Sequence, residues 1–490
     1  MSTGQPQHLD QEQTKELIEN WRDHPTVNPK LKFQTLLVPI TSLTSLVPKL
    51  QPYLAKNSYV MKHIHPRIKM VKEYSDTHKI ILLKSNDNED DETNESVIKS
   101  VMNDLQLDQM QVTKGPTVTM DISYSQLSYQ YILGQLLTPF GVSIPSAYEQ
   151  VGHIAHFNFK PIHEPYGKLI AEVLRETNPM IETVVAKVGK VHGKYRTYDF
   201  DILAGPSKLE TTVVEHGVQI QIHIGDCYWC SRLGGERQLL IQDILHPDTS
   251  KGASKKKKEL IVADVFSGVG AVCLLLAKEA PVNGQNVTIM ANDWNPRAIE
   301  YFEKSIKSNA GLNASQFQLS CGDAYDFMMD LGTTAGGGKK NKDQMIIVPD
   351  HVLMNFPLHG PTYLGALRWW PWKNVKRYHK VHGSYPRFHI YTFAKGSQND
   401  EGEADDELEL AVDIIANELL PVMGSGQNDN GIEDDKNRKL EYHRRKELDE
   451  EFGTEFSTRL VRDVAPGKVV VCVSFFLTPK LIRYMQGDYV

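Results

Sequence analysis

The stretch from residue 260 to about 308 constrains this chain most. "LIVADVFSGVGAVCLLLAKEA" reads as strand, glycine turn and helix, and "VTIMANDWNPRAIEYFEKSIKSN" repeats the rhythm. Strands alternating with helices in this way imply parallel strands joined by crossover helices, a doubly wound sheet. Each apolar run also ends on a polar residue. Asp264 closes the first run, and Gly268 and Gly270 make the turn after it. Two glycines let the backbone approach a ligand that a Cβ would block. Asp293 closes the second run, and Asp323 follows a third, "FQLS". The turn is not a full GxGxxG, because Cys273 stands at the third glycine position, and no GK[ST] follows to make a Walker loop.

A fourth run, "HVLMNFPLHGP", ends on Asn355. An amide at the end of a buried run needs a partner, since an unsatisfied polar group costs about 1–3 kcal/mol. Pro357 stops further pairing and fixes the turn.

Taken in order, these features are acid, Gly-x-Gly, acid, acid and Asn-x-Pro. That is the order expected of a class I S-adenosylmethionine (SAM) methyltransferase. Asp293 is placed to accept from both ribose hydroxyls and Asp323 from the adenine amine. Phe266, Asn295 and Ala324 complete the candidate cofactor contacts, with Asp264, Gly268, Gly270 and Asn355. An ordinary layer with polar strand ends would explain one such signal, but four in sequence weigh against it. The short glycine motif disfavours a nicotinamide cofactor. Asn355 can orient a planar nitrogen nucleophile through its C=O and NH₂. The DNA amino-methyltransferase form is Asn/Asp-Pro-Pro-aromatic, whereas "NFPL" displaces the aromatic and disfavours an exocyclic amine as target.

At 490 residues and 40% hydrophobic content the chain has room for several domains. The expected division is an N-terminal α/β domain over 1–140, a small α+β middle domain over 141–225, and the methyltransferase domain over 226–490. No apolar run is long enough to span a membrane. The five cysteines argue for a reducing compartment. Cys227 and Cys230 form a CxxC without a second pair, so packing is preferred over a metal, and no metal is expected. The net charge of −7 is concentrated in acidic blocks such as "NDNEDDETNE" and "NDEGEADDELE", read as solvated insertions. "SKKKKE" and "LGTTAGGGKKNKDQ" are read as further loops.

From about Tyr129 onward the chain resembles the eukaryotic and archaeal tRNA (guanine-N1)-methyltransferase family, Trm5. The resemblance rests on "SIPSAYEQVGHIAHFNFK", "KVGKVHGKYRTYDFDILAG", "YWCSRLGGER" and the motifs at 263–357. It implies methylation of N1 of guanosine at tRNA position 37, 3′ of the anticodon. It also implies inosine there as a second acceptor, and a role in reading-frame maintenance ahead of wybutosine synthesis. By position it makes Arg196 the catalytic arginine, Tyr228 the ring near the base, Glu236 the general base and Asn355 the guanine holder. Ser231 and Gly234-Gly235 depart from the family's "SPRLATER" form, which would set Glu236 on a more mobile loop.

The chemistry agrees with that assignment. Guanine N1 is protonated at neutral pH and becomes nucleophilic only when a carboxylate takes the proton. Charge then collects on O6, where a fixed guanidinium is suited to it. Taken alone, Glu236 flanked by Arg232 and Arg237 more commonly means a surface salt bridge, Tyr228 and Trp229 are ordinarily core aromatics, and Arg196 competes with a strand-edge surface arginine. For RNA contact the candidates are Arg232, Arg368, Trp372, Lys373, Lys376 and Arg377. Most fall in "RWWPWKNVKRYHKVHGSYPR", which holds no acid and interleaves rings with cations. The competing reading there is an amphipathic helix with core tryptophans. His153 and His156 are expected to be satisfied sheet histidines.

Three rival functions stand beside this one. The first is the aminocarboxypropyl transferase of wybutosine synthesis. The second is methylation at another nucleobase position, although a C5-cytosine enzyme needs a catalytic thiolate and Cys321 stands in the wrong motif for it. The third is a non-catalytic SAM- or RNA-binding module. A monomer is expected. The polar N-terminus carries no evident leader, so a cytoplasmic enzyme is expected, with nuclear and mitochondrial pools resting on resemblance alone.

Overall fold

A computed structural model describes residues 10–57, 59–83, 91–145, 147–193, 195, 197–246, 259–331, 348–396, 406–419 and 448–488. Two acidic blocks read as solvated insertions are partly helical: residues 91–95 open helix Asp91–Asp104, and 407–409 open helix Glu407–Glu418. The rest of those blocks at 86–90 and 399–405, the block at 428–436, the lysine run at 255–258 and the glycine-lysine stretch at 332–344 lie outside the described residues, as does Arg196.

The chain divides into two compact units, residues 1–189 with 199–208, and residues 190–198 with 209–490. In the first, strands Val71–Glu73, His78–Leu82, Thr35–Pro39 and Thr113–Lys114 form one sheet. Strands Glu149–Val151, Ile154–Phe157, Thr183–His192 and Thr197–Ala204 form another. The expected boundary at 140 falls inside this unit. A single apolar cluster joins Trp21, Leu31 and Phe33 to helix Tyr129–Leu137, helix Gly167–Thr177 and Val184. His156 is buried with its Nε2 3.4 Å from Glu149, as a satisfied sheet histidine should be.

The second unit opens with the hairpin β1 (Glu210–Glu215) and β2 (Val218–His223), followed by helix α1 (Gly234–Leu245). Next come β3 (Glu259–Asp264), α2 (Ala271–Val282), β4 (Asn286–Asp293), α3 (Pro296–Ser308), β5 (Phe317–Cys321) and α4 (Ala324–Leu331). Then follow β6 (His351–Met354), α5 (Trp372–His382), β7 (Arg387–Lys395), α6 (Glu407–Glu418), β8 (Ser457–Ala465) and β9 (Lys468–Phe476). The hairpin belongs here rather than to a middle domain. Its edge amides on Gln219 and Gln221 donate to Asn309, the C-cap of α3, and to Ser305 within α3.

Strands β3 to β9 form one sheet in the order β5-β4-β3-β6-β7-β9-β8. The first five pair in parallel, and β9 and β8 add antiparallel. Strands buried on both faces read as continuous apolar runs, which is why β3, β4, β7 and β9 were visible in the sequence. The chain reverses its direction of winding between β3 and β6. A ligand crevice is expected at such a switch point, outside the strands' carboxyl ends. Among the described residues no helix is long and apolar enough to cross a membrane.

Candidate active site

The crevice is a cavity of about 530 Å³, within the roughly 300–1,000 Å³ usual for small-molecule sites. Its wall runs from Asp264 at the end of β3 and Phe266, Ser267 and Gly268 after it to Asn292 and Asp293 at the end of β4 and Asn295 after it. It continues through Gly322 and Ala324 after β5 to Asn355 and Phe356 after β6. The strand ends foreseen in the sequence therefore converge.

Their roles differ in detail. Asp293 accepts from the Gly268 and Asn295 amides, each at 2.8 Å, so it fixes the glycine turn as well as facing the cavity. Burial raises its pKa. Asp264 accepts from the Phe266 amide and the Cys273 thiol, and burial lifts its carboxyl to about 7. Gly268 has φ +54° and lines the cavity, as a close-approach glycine should. Gly270 does not line it. Its φ is +81°, and a Cβ there would collide with the Phe302 ring, so this glycine serves helix packing rather than ligand approach. Asn295 caps α3 and donates to the Asp226 carbonyl at 2.7 Å. Asp323 is exposed, caps the Tyr325 amide at 2.7 Å, and does not line the wall.

Asn292 was missed in the sequence. It lines the cavity and donates to the carbonyls of Val265 and Gly322, tying three strand ends together. The Ser267 hydroxyl is buried on the wall with no partner among the described residues. An orphaned donor beside a glycine turn and an acid at the next strand end suits a nucleoside with hydroxyls and an amino-acid tail. The residues present thus fit SAM.

Asn355 answers the question its strand raised. Its amide makes no hydrogen bond to a described residue, and it faces the same cavity. Phe356 beside it meets the Phe266 ring at 5.2 Å. Tyr228 is half exposed and lines the same cavity.

Glu236 departs from expectation. It stands in the first turn of α1 rather than on a mobile loop, and it is buried. Its Oε1 accepts from the Tyr391 hydroxyl at 2.6 Å and from Arg459 Nη2 at 2.7 Å, while Oε2 accepts from Arg459 Nε at 3.1 Å. Arg459 also pairs with Asp243, two turns along α1. Glu236 does not line the cavity, although Leu233 and Arg237 beside it in sequence do. Arg237 is itself held by Glu215, at 2.7 and 2.6 Å, and lies over the Trp229 ring. Cys227 and Cys230 are buried, and burial pushes the Cys227 thiol to about 12.

The basic segment splits between the two readings offered for it. Trp370 and Tyr378 are core, while Lys373, Lys376 and Arg377 lie exposed along α5, and Trp369 is 62% exposed. Arg368 donates to the Glu418 carbonyl, and Arg483 sits over the Trp372 ring. Arg232 is exposed.

Comparison with known proteins agrees with this geometry. Residues 211–330 match the TRM5/TYW2 methyltransferase domain, and residues 129–208 match the TYW2 N-terminal domain. A tRNA (guanine(37)-N(1))-methyltransferase 2 of Phaeodactylum tricornutum is 37% identical over 492 residues, covering 94% of this chain and 77% of the relative. Among solved structures, Trm5b of Pyrococcus abyssi aligns over 91% of this chain and 99% of its own, with TM-score 0.52 and 18% identity. A complex of aTrm5 and tRNALeu aligns over 91% and 100%, with TM-score 0.51 and 16% identity. These two structures establish the shared fold. Given the relative's identity and coverage, this chain belongs to the tRNA (guanine(37)-N(1))-methyltransferase family.

Proposed function

We propose that this chain transfers the methyl group of SAM to N1 of guanosine 37 in tRNA. The observation that carries the reading is Asn355, which lines the same cavity as the glycine turn and Asp293, with its amide unpartnered among the described residues. When bound, SAM supplies an electrophilic methyl group on a sulfonium. The Asn355 amide offers a donor and an acceptor to the planar guanine edge and so sets N1 in line. Gly268 and Asp293 hold the donor's nucleoside. Glu236 takes the N1 proton, and for this its carboxylate must turn from Tyr391 and Arg459 toward the cavity. Arg196 is assigned to the charge that develops on O6, by the family resemblance. The exposed cations of α5 and Arg232 supply phosphate contacts. Inosine 37 is a further acceptor, because it shares the N1–C6=O edge. The enzyme acts as a monomer, in the cytoplasm with nuclear and mitochondrial pools.

The test is transfer from labelled SAM to unmodified tRNA transcripts with G37 or A37, followed by nucleoside mass spectrometry. 1-Methylguanosine in the G37 transcript alone is the expected result. An aminocarboxypropyl mass gain, or SAM binding without transfer, would overturn the reading.

A further inference from the structure

The edge strand β8 carries a β-bulge beside the cavity. Arg459 stands opposite Cys472 on β9 and Leu460 opposite Val471, but Arg462 stands opposite Val470, leaving Val461 as the extra residue. In a regular strand side chains alternate between faces, so Arg459 and Arg462 would point to opposite sides. A bulge sets two residues against one and re-aims the side chains beyond it. Cys472 and Val470 are two residues apart on β9 and share a face. Arg462, opposite Val470, is therefore turned onto the face of Arg459.

Two cross-strand rows result on that face. Tyr391, Cys472 and Arg459 form one, and it holds Glu236. Phe393, Val470 and Arg462 form the next, and all three line the cavity. Without the bulge, Val461 would take the place of Arg462 in that wall. The Arg462 Nε is buried and has no acceptor among the described residues. A buried guanidinium donor left unpaired is costly, and such a group in a native fold calls for a partner that arrives from outside it. The other arginine on the described wall, Arg237, is already engaged by Glu215.

We propose that Arg462 is a substrate-contacting residue whose guanidinium donates to an oxygen of the target nucleotide, either guanine O6 or a phosphate. The inference rests on the methyl-transfer reading above and adds a residue to it. The planar fork of arginine suits either oxygen better than lysine does, and a charge-assisted bond there favours the bound nucleotide.

The test uses the full chain with Arg462→Gln and Arg462→Lys. The kcat and KM for G37 tRNA are measured at two salt concentrations, the SAM Kd by calorimetry and folding by thermal melting. Arg462→Gln is expected to lower kcat/KM for tRNA roughly 10- to 100-fold, with Arg462→Lys partly restoring it. The SAM Kd and melting temperature should hold. A loss confined to kcat and indifferent to salt assigns the base oxygen. A loss in KM with a shallower salt dependence assigns the phosphate. Unchanged kcat/KM in an active enzyme overturns the inference alone, as does an equal loss of SAM affinity, which would hand Arg462 to the cofactor. If Arg462→Gln does not fold, full activity in Arg462→Lys overturns it too. A wild-type chain that transfers no methyl to G37 tRNA overturns the underlying reading instead.

Discussion

The two parts of the large sheet build the active site in different ways. In the parallel part, β3 to β7, most contacts come from the turn that directly follows a strand: Phe266 to Gly268, Asp293 to Asn295, and Asn355 with Phe356. Each is a short local motif. In the antiparallel edge, β9 and β8, the contributing residues stand within the strands. Register brings Val470, Arg462, Cys472 and Arg459 into line. The parallel part can be read a few residues at a time. At the edge, a single slipped residue decides which side chain reaches the cavity.

The largest expected effect probes the place where both parts meet. Glu236 stands on α1 and is gripped by Tyr391 from β7 and by Arg459 from β8. Glu236→Gln should cut single-turnover methyl transfer by about 10²–10⁴-fold, the usual worth of a general base, with SAM affinity unchanged. Full turnover in this variant would detach the edge network from the chemistry.

Arg459→Leu isolates the edge. It leaves Glu236 buried beside an apolar side chain, and breaking a buried pair costs about 3–5 kcal/mol. Denaturant unfolding should show a loss of that order. A change below about 1 kcal/mol would mean that the pair behaves as a surface bridge.

Asp293→Ala isolates the parallel part. It removes the proposed ribose acceptor and frees the Gly268 and Asn295 amides that it holds. Hydrogen bonds to charged groups are worth about 1.5–3 kcal/mol each, so the SAM Kd should rise on the order of 100-fold or more. Equal affinity by calorimetry would contradict the cofactor assignment.

The smallest effect lies at the seam between the two parts. His389 on β7 is fully buried between His351 on β6, at 3.0 Å, and Ser474 on β9, at 2.9 Å. Burial first, then His351, Arg387 and Arg459, hold its pKa well below 6.5. The unfolded chain takes up this proton as pH falls through 6.5, and the folded chain does not. The unfolded state thus binds more protons, and stability falls on acidification by up to about 1.4 kcal/mol per pH unit. Substituting His389 by Gln should flatten melting temperature against pH between 6.5 and 5. An unaltered slope would place the acid sensitivity elsewhere. Asp264 works the other way. Its raised pKa makes the folded state the better proton binder up to about 7, so its contribution weakens as pH rises from about 4 toward 7.

The sequence by itself determined the doubly wound sheet and the acids and amide at its strand ends. Those signals are local: an apolar run, a polar residue at its end, and glycines where φ must be positive. It also carried the family membership, through motifs that stand in contiguous pieces. Only the tertiary structure decided that Glu236 is buried against Tyr391 and Arg459, residues separated from it by 155 and 223 positions. It also decided that Gly270 serves Phe302 and that Asp323 faces solvent. β8 went unread because Arg459, Arg462 and Asp463 interrupt any apolar alternation, and a bulge erases what remains of the period. A strand's facing is fixed by its partner's register, and register is a property of two segments rather than one.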